Sequence, residues 1–324
     1  MHSISELQVI LKKALDSASF SQEPAGLYDP ISYTLNLGGK RIRPLLVLIG
    51  CDLFHGDIEK AGPVVLAIEL FHNFTLLHDD IMDRAPLRRG KETVYKKWNT
   101  NIAILSGDTM FALACEYLSQ ADPDVLPLAL SEFSRTARMV CEGQQYDMNF
   151  ETRKVVSIGE YLEMIRLKTA VLIGCSFKLG AILAKAPPDE TAKIYSFGEN
   201  IGMAFQLQDD LLDVFGDEQK FGKQIGGDIL SGKKTFLLLK AYEIAPEKEK
   251  SALDHCFSDP SITAEEKIEQ VKKIYQSLKI REITLEEIEK YFSKALQLCD
   301  GIDVDVNSKK ALGLFVRDLL KRDF

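Results

Sequence analysis

The chain has 324 residues, 46% hydrophobic and 27% charged, a balance that excludes wholesale disorder and leaves room for a sizeable core. Its 40 Lys and Arg stand against 48 Asp and Glu, and the resulting net charge of −8 gives no support to a nucleic-acid partner. The six cysteines, Cys51, Cys115, Cys141, Cys175, Cys256 and Cys299, are scattered with no CxxC pair, which favours free thiols in a reducing, cytoplasmic compartment over disulfides or zinc.

At the N-terminus, MHSISELQVILKKALDSASF mixes acidic and basic residues among its apolar ones and reads as an amphipathic helix, not a signal peptide. No stretch approaches the roughly 18 uninterrupted apolar residues of a membrane span, so no stable membrane insertion is expected. Most long segments have the three-to-four residue apolar spacing of helices and few alternating Val/Ile/Thr runs, which predicts an all-α protein. Breaks are expected at Pro30, Gly38–Gly39, Pro86, Pro123, Pro187–Pro188 and Gly226–Gly227. None is a long linker, so a single helical domain spanning 1–324 is expected. Capping boxes are expected at Ser157 with Glu160, Thr263 with Glu266 and Thr284 with Glu287. VVLAIELFHNFTLLHDD and NIGMAFQLQDDLLDVFG are apolar around nearly their whole circumference, so they belong in the centre of a bundle or line a greasy cavity. The charged stretch from Pro246 to about Lys290 reads as the solvated outside of the bundle.

LHDDIMD at 77–83 is echoed by LQDDLLD at 207–213, so that Asp79, Asp80 and Asp83 are answered by Asp209, Asp210 and Asp213. Residues four apart share a helix face, which pairs Asp79 with Asp83 and Asp209 with Asp213. Either motif alone reads equally as a solvated helix end. Two such pairs facing each other across a bundle cannot all stay ionised without cations between them. Hard divalent ions suit all-oxygen ligands, Mg²⁺ above all, since it bridges a few carboxylates to phosphates. Zinc is disfavoured by the ligand type, and an EF-hand at DVDVNS by the missing turn glycine and closing Glu. Basic residues complete the pattern: Lys40, Arg41 and Arg43 in GGKRIRP, Arg88 with Arg89, Lys168 in IRLKTA, Lys223 in FGK and Lys233 in GKKT. Each alone reads as a surface cation; together they suggest two diphosphate sites, one metal-bridged and one purely basic.

In order and spacing, GGKRIRP, FTLLHDDIMD with RRG behind it, IRLKTA, FQLQDDLLD, FGK and GKKT resemble the trans-isoprenyl diphosphate synthases, or polyprenyl synthetases, over about residues 36 to 240. The resemblance implies an all-α isoprenoid synthase fold, a single large bundle around a central apolar cavity, three Mg²⁺ per site, and a homodimer. It implies that isopentenyl diphosphate is condensed with an allylic diphosphate. Metal ligation then falls on Asp79, Asp80, Asp83 and Asp209, with Asp210 and Asp213 close by. Arg88, Lys168, Thr169, Gln206, Lys223 and Lys233 match positions that contact the allylic diphosphate. Gly39, Lys40, Arg43, His72 and Arg89 match those around isopentenyl diphosphate. His72 lies seven residues before Asp79, about two turns away on the same face. His78, Trp98 and the methionines read as packing.

Product length in this family depends on what blocks the cavity beneath the first aspartate motif. Phe74 lies five residues before Asp79, about 7.5 Å along a helix, and Thr75 four before. An aromatic followed by a small residue above a short DDxxD resembles archaeal-type geranylgeranyl diphosphate synthases more than farnesyl-producing ones. Phe71 is a candidate deeper floor, and FALACEYL at 111–118 a second wall whose small residues deepen the pocket. Three other readings are weaker. A class I terpene cyclase needs no second diphosphate pocket, a non-catalytic subunit of a heteromeric synthase is expected to lose acidic or basic residues, and a phosphohydrolase lacks an evident base.

Overall fold

The computed structural model describes residues 2–216 and 226–320. Among them the chain is helical apart from one short hairpin. Its helices are α1 (Ile4–Ser17), α2 (Ala25–Asn36), α3 (Ile42–Leu53), α4 (Gly62–Met82), α5 (Val94–Lys97), α6 (Thr100–Leu118), α7 (Leu126–Thr152), α8 (Ile158–Ile165), α9 (Val171–Leu183) and α10 (Pro188–Phe215). They are followed by α11 (Gly227–Ser231), α12 (Phe236–Ile244), α13 (Glu247–Ser258), α14 (Ala264–Ser277), α15 (Ile280–Asp300) and α16 (Val306–Leu320). Antiparallel β1 (Leu87–Arg88) and β2 (Lys91–Glu92) form the hairpin. No helix among the described residues is long and apolar enough to cross a membrane.

The expected amphipathic N-terminal helix is present, and Ser3 with Glu6 closes its first turn as a capping box. The boxes at Ser157 with Glu160 and Thr263 with Glu266 also form. The third does not. Thr284 lies inside α15, which starts after Lys279, and its hydroxyl donates to the Ile280 carbonyl at 2.7 Å. Pro30 likewise breaks nothing: it sits within α2, while the chain turns at Pro24, just before the helix. The other expected breaks hold, with Pro188 opening α10 and Gly226 preceding α11 in a left-handed conformation (φ 83°).

The Cα positions group into two compact units. The first comprises Met1–Arg135, Cys175–Tyr195 and Asp303–Ser308. At its heart lies α4, buried from Val64 through Phe71, a run that is apolar except for Glu69. Against α4 runs α6, which buries the small side chains of Ala103, Ser106 and Ala114 together with Gly107. Helix α3 meets α9 through glycines: a Cβ on Gly50 would strike the Phe177 carbonyl, and one on Gly180 the Val47 carbonyl and the Cys51 amide.

The second unit comprises Thr136–Gly174, Ser196–Ile302 and Lys309–Phe324. One of its clusters joins Leu211 and Val214 of α10 to Ile229, Leu237, Leu253, Val271, Tyr275 and Ile280. A second joins Met203 and Leu207 of α10 to Phe150, Tyr161, Met164 and Phe236. The charged stretch after Pro246 therefore has an inner apolar face, and its charges lie on the outer one. All six cysteines are free, with Cys51, Cys175, Cys256 and Cys299 buried.

Because backbone atoms cannot move aside, Gly180→Val should cost about 1–3 kcal/mol of overpacking and lower Tm by several degrees. Gly62→Ala, whose Cβ would meet nothing within 4 Å, should leave Tm unchanged or raise it. Equal melting of the Gly180 variant and the parent would mean that the glycine contact does not set the α3–α9 approach.

Candidate active site

The first aspartate motif closes the last turn of α4, with Asp83 as its C-cap. Three carboxylates at the negative pole of a helix are electrostatically unfavourable, so cationic partners are required. Arg88 supplies one. Its Nε donates to both oxygens of Asp80 at 2.8 and 2.9 Å, its Nη2 to Oδ1 at 2.7 Å, and Asp79 lies 3.8 Å away. Burial raises the Asp80 carboxyl above its usual range, and Arg88 opposes that shift.

Arg88 reaches the acidic residues because it lies on β1. The turn Arg89–Gly90 has positive φ at both residues (53° and 74°), as a two-residue hairpin connection demands. No alternating pattern predicts a strand here, although Gly90 directly after Arg88 and Arg89 is the turn signal. From this turn the Arg89 guanidinium donates to the Gly38 carbonyl. It lies where Gly39 has no side chain: a Cβ there would come within 2.6 Å of the guanidinium carbon, and Gly39 itself has φ 122°. Gly39 is therefore needed both for its backbone and for the space beside it.

Arg43 Nη1 lies 3.1 Å from His72 Nε2. Burial, then Arg43, Arg89, Arg88 and Arg41, hold the His72 imidazole well below its usual pKa, so it is neutral at neutral pH. Gly39, Arg43, His72 and Arg89 are thus gathered around one strongly cationic point, with Lys40 next in the chain to Gly39. Arg41 turns the other way, to the buried Glu69 carboxylate and the Leu35 carbonyl.

Phe71 and Phe74 occupy the preceding turns of α4. Phe71 packs on Phe74 at 5.7 Å between ring centroids, on Phe111 of α6 at 5.9 Å and on Phe133 of α7 at 5.3 Å, and Phe74 packs on Phe111 at 5.4 Å. From the FALACEYL stretch of α6, it is the Phe111 ring that meets Phe71 and Phe74. Thr75 turns its hydroxyl back to the His72 carbonyl at 2.8 Å. His78 is structural, with Nε2 3.1 Å from the Ile104 carbonyl and its ring against Phe74 and Gly107. Trp98 packs edge-on to Tyr33.

In the second unit, Arg166–Ala170 forms a π-helical turn between α8 and α9, and such widened turns re-aim side chains. Gly143 of α7 permits it, because a Cβ there would meet the backbone of Lys168. Lys168 Nζ donates to Asp147 at 2.7 Å, and Thr169 Oγ1 to Gln206 Oε1 at 3.0 Å. Gln206 Nε2 in turn donates to Asp210 Oδ1 at 3.0 Å, and the Tyr161 hydroxyl donates to the other oxygen. Burial, then the charge of Asp228, pushes Asp210 well above the carboxylate range, although Tyr161, Lys233 and Gln206 oppose this. Asp213 Oδ2 accepts the Asp228 amide at 3.0 Å. Against its burial, Lys233 and Lys168 draw the Asp147 carboxyl below its ordinary value. Lys168, Thr169, Gln206, Asp210 and Lys233 thus form one connected network, and Asp209 lies beside it in sequence. Lys223 lies outside the described residues.

Asp147, Tyr161 and Asp228 escaped the sequence reading. Of these only Asp228 sits in a stretch with a signal, directly after the Gly226–Gly227 break, and its carbonyl accepts the Lys233 amide at 2.9 Å. Among the described residues no three acidic, His or Cys side chains converge on one point. Around both motifs the donors on offer are hard carboxylate oxygens, which suit Mg²⁺ and not a thiophilic ion.

A family model described as polyprenyl synthetase matches residues 24–278. The chain belongs to the polyprenyl synthetase family. It is a prenyltransferase with the all-α isoprenoid synthase fold. It is 40% identical over 268 residues to a geranylgeranyl pyrophosphate synthase of Geoglobus acetivorans, covering 82% of each chain. A crystal structure of a geranylgeranyl pyrophosphate synthase superposes with a TM-score of 0.95 at 46% identity, over 100% of both chains. Another polyprenyl synthetase structure, the geranylgeranyl pyrophosphate synthase of Corynebacterium glutamicum complexed with calcium and isoprenyl diphosphate, has a TM-score of 0.82 at 28% identity, over 98% of this chain and 96% of that one.

Native His72 binds fewer protons than an unfolded histidine, whose pKa is 6.5, so its contribution to stability is complete above pH 6.5 and is lost as pH falls below it. His72→Gln should therefore flatten the decline in urea-denaturation stability between about pH 7.5 and 5. An unchanged slope would mean that His72 is protonated in the native state.

Proposed function

We propose that this prenyltransferase condenses isopentenyl diphosphate with an allylic diphosphate and releases all-trans geranylgeranyl diphosphate. The single observation that carries this reading is the aromatic cluster of Phe71, Phe74, Phe111 and Phe133, beginning five residues below Asp79. The geranylgeranyl pyrophosphate synthases that the chain resembles support the same product.

Asp79, Asp80, Asp83 and Asp209 present the carboxylates for Mg²⁺, and the calcium and isoprenyl diphosphate bound to the Corynebacterium relative support a divalent ion with a diphosphate. Bound there, magnesium supplies Lewis-acid stabilisation of the departing diphosphate. Arg88, Lys168, Lys223 and Lys233, with Thr169 and Gln206, hold the allylic diphosphate and stabilise its growing charge as the carbon–oxygen bond breaks. Gly39, Lys40, Arg43, His72 and Arg89 hold the second diphosphate so that the double bond of isopentenyl diphosphate lies against the allylic carbon. Neutral His72 can donate to a phosphate oxygen from one ring nitrogen. After the new bond forms, the released diphosphate accepts the proton that restores the double bond. Apolar walls exclude the water that would quench the allylic cation. Phe74 and Phe71 stop the lengthening chain, with Thr75 leaving space beside them. Both units serve one polyprenyl synthetase domain. Exposed Leu105 and Leu128 support a homodimer, and the six free cysteines a reducing, cytoplasmic compartment.

Labelled isopentenyl diphosphate incubated with dimethylallyl, geranyl or farnesyl diphosphate and Mg²⁺ should give a C20 product from every primer. Arrest at C15, or extension beyond C20, would overturn the assignment. Phe74→Ala should shift products to C25 and longer while keeping kcat within about tenfold, and an unchanged product length would remove Phe74 from the floor. Asp79→Asn should lower kcat by at least about 10²-fold, as should metal removal by EDTA.

A further inference from the structure

A buried clamp joins the loop that carries Lys40 to helix α4, which carries His72. Arg41 lies between Lys40 and Arg43. Its backbone is left-handed (φ 48°) immediately before α3, a conformation that favours glycine, and its side chain makes no capping bond. Instead the guanidinium folds back to donate to Glu69 Oε1 on α4 and to the Leu35 carbonyl at the end of α2. Glu69 Oε1 also accepts Asn73 Nδ2 at 2.5 Å, and the same amide nitrogen donates to the Glu69 carbonyl at 2.8 Å. Glu69 and Asn73 bracket His72 on α4, as Lys40 on the loop and Arg43 in the first turn of α3 bracket Arg41.

Side-chain exposure is 19% for Arg41 and 3% for Glu69. Burial pushes the Glu69 carboxyl up, and Arg41, Asn73 and Arg43 oppose this. A pair this deep is a poor device for stability alone, because apolar residues of similar volume often do as well. What apolar residues cannot do is fix a loop in a left-handed conformation against a helix and place a negative charge among guanidinium groups. Glu69 acts on Arg89 in that way, offsetting the repulsion from Arg41 and Arg88.

We propose that Arg41 and Glu69 are positioning residues for isopentenyl diphosphate. They set the direction of Lys40 from the loop and of Arg43 from the first turn of α3, and through Gly38 and Gly39 the seat of Arg89. The inference rests on the assignment of those residues to the isopentenyl pocket under Proposed function.

Steady-state kinetics of the full chain test it, varying each substrate in turn. Glu69→Gln keeps the acceptor for Asn73 and the volume but loses the charge, and Arg41→Gln loses the fork. Each should raise KM for isopentenyl diphosphate at least tenfold and leave KM for the allylic diphosphate within twofold. Arg41→Lys should recover part of the loss. The double variant Arg41→Gln/Glu69→Gln should be no worse than the poorer single one, since the pair acts as a unit. Isopentenyl KM within twofold of the parent, or parallel rises in both KM values, would overturn the proposal. Should Glu69→Gln not fold, Arg41→Lys carries the test, with a threefold selective rise in isopentenyl KM as the expected result and none as the refutation. Arg89→Ala separates this idea from its premise. If it raises isopentenyl KM and the clamp variants do not, positioning falls and the pocket stands; if none of them does, both fall.

Discussion

Six carboxylates near the C-terminal ends of two apolar helices are the constraint around which everything else is arranged. The helix dipole, their mutual repulsion and the greasy surroundings all oppose their ionisation, so each must find a donor or be protonated. Asp80 finds Arg88, Asp213 finds the Asp228 amide, and Asp210 is shared between Tyr161 and Gln206 while burial pushes it towards the neutral form. The two motifs are therefore unlike. One is tied to a guanidinium on a hairpin, the other to the neutral donors Tyr161, Gln206 and the Asp228 amide, with Lys233 acting on it by charge. A sequence that repeats DDxxD does not repeat its environment.

The same constraint explains why the acidic ends sit on the most deeply buried helices. Chemistry on an allylic cation needs walls without water, and α4 supplies them, buried from Val64 to Phe71 and closed by aromatic rings from α6 and α7. Glycine and alanine contacts bring the neighbouring helices close enough for those rings to meet. Gly107 is one such small residue, since a Cβ there would strike the His78 ring on α4.

Much of this was legible in the sequence because it rests on local rules. Apolar spacing gave the helical class, Ser157 and Thr263 announced their helices, and paired DDxxD motifs with GGKRIRP pointed to diphosphate chemistry. What failed was tertiary. Thr284 has the spacing of a cap but lies within a helix, because packing at Ile280 starts that helix earlier. Pro30 looks like a stop, yet burial of Ile31 and Thr34 carries α2 past it. Tyr161 and Asp147 have no motif of their own, since their roles come from side chains 49 and 21 residues away. The hairpin was missed because strands of two residues have no periodicity to read.

That hairpin ties the two halves of the pocket chemistry together. Arg88 grips the acidic end of α4 and Arg89 leans on the glycine loop, although one peptide unit, about 3.8 Å between Cα atoms, separates them. The acidic end of α4 and the glycine loop are thus gauged by a single short yardstick of backbone, set by a turn in which Gly90 takes a left-handed conformation without strain. Any tilt of the yardstick moves both handles at once and preserves the interval between them.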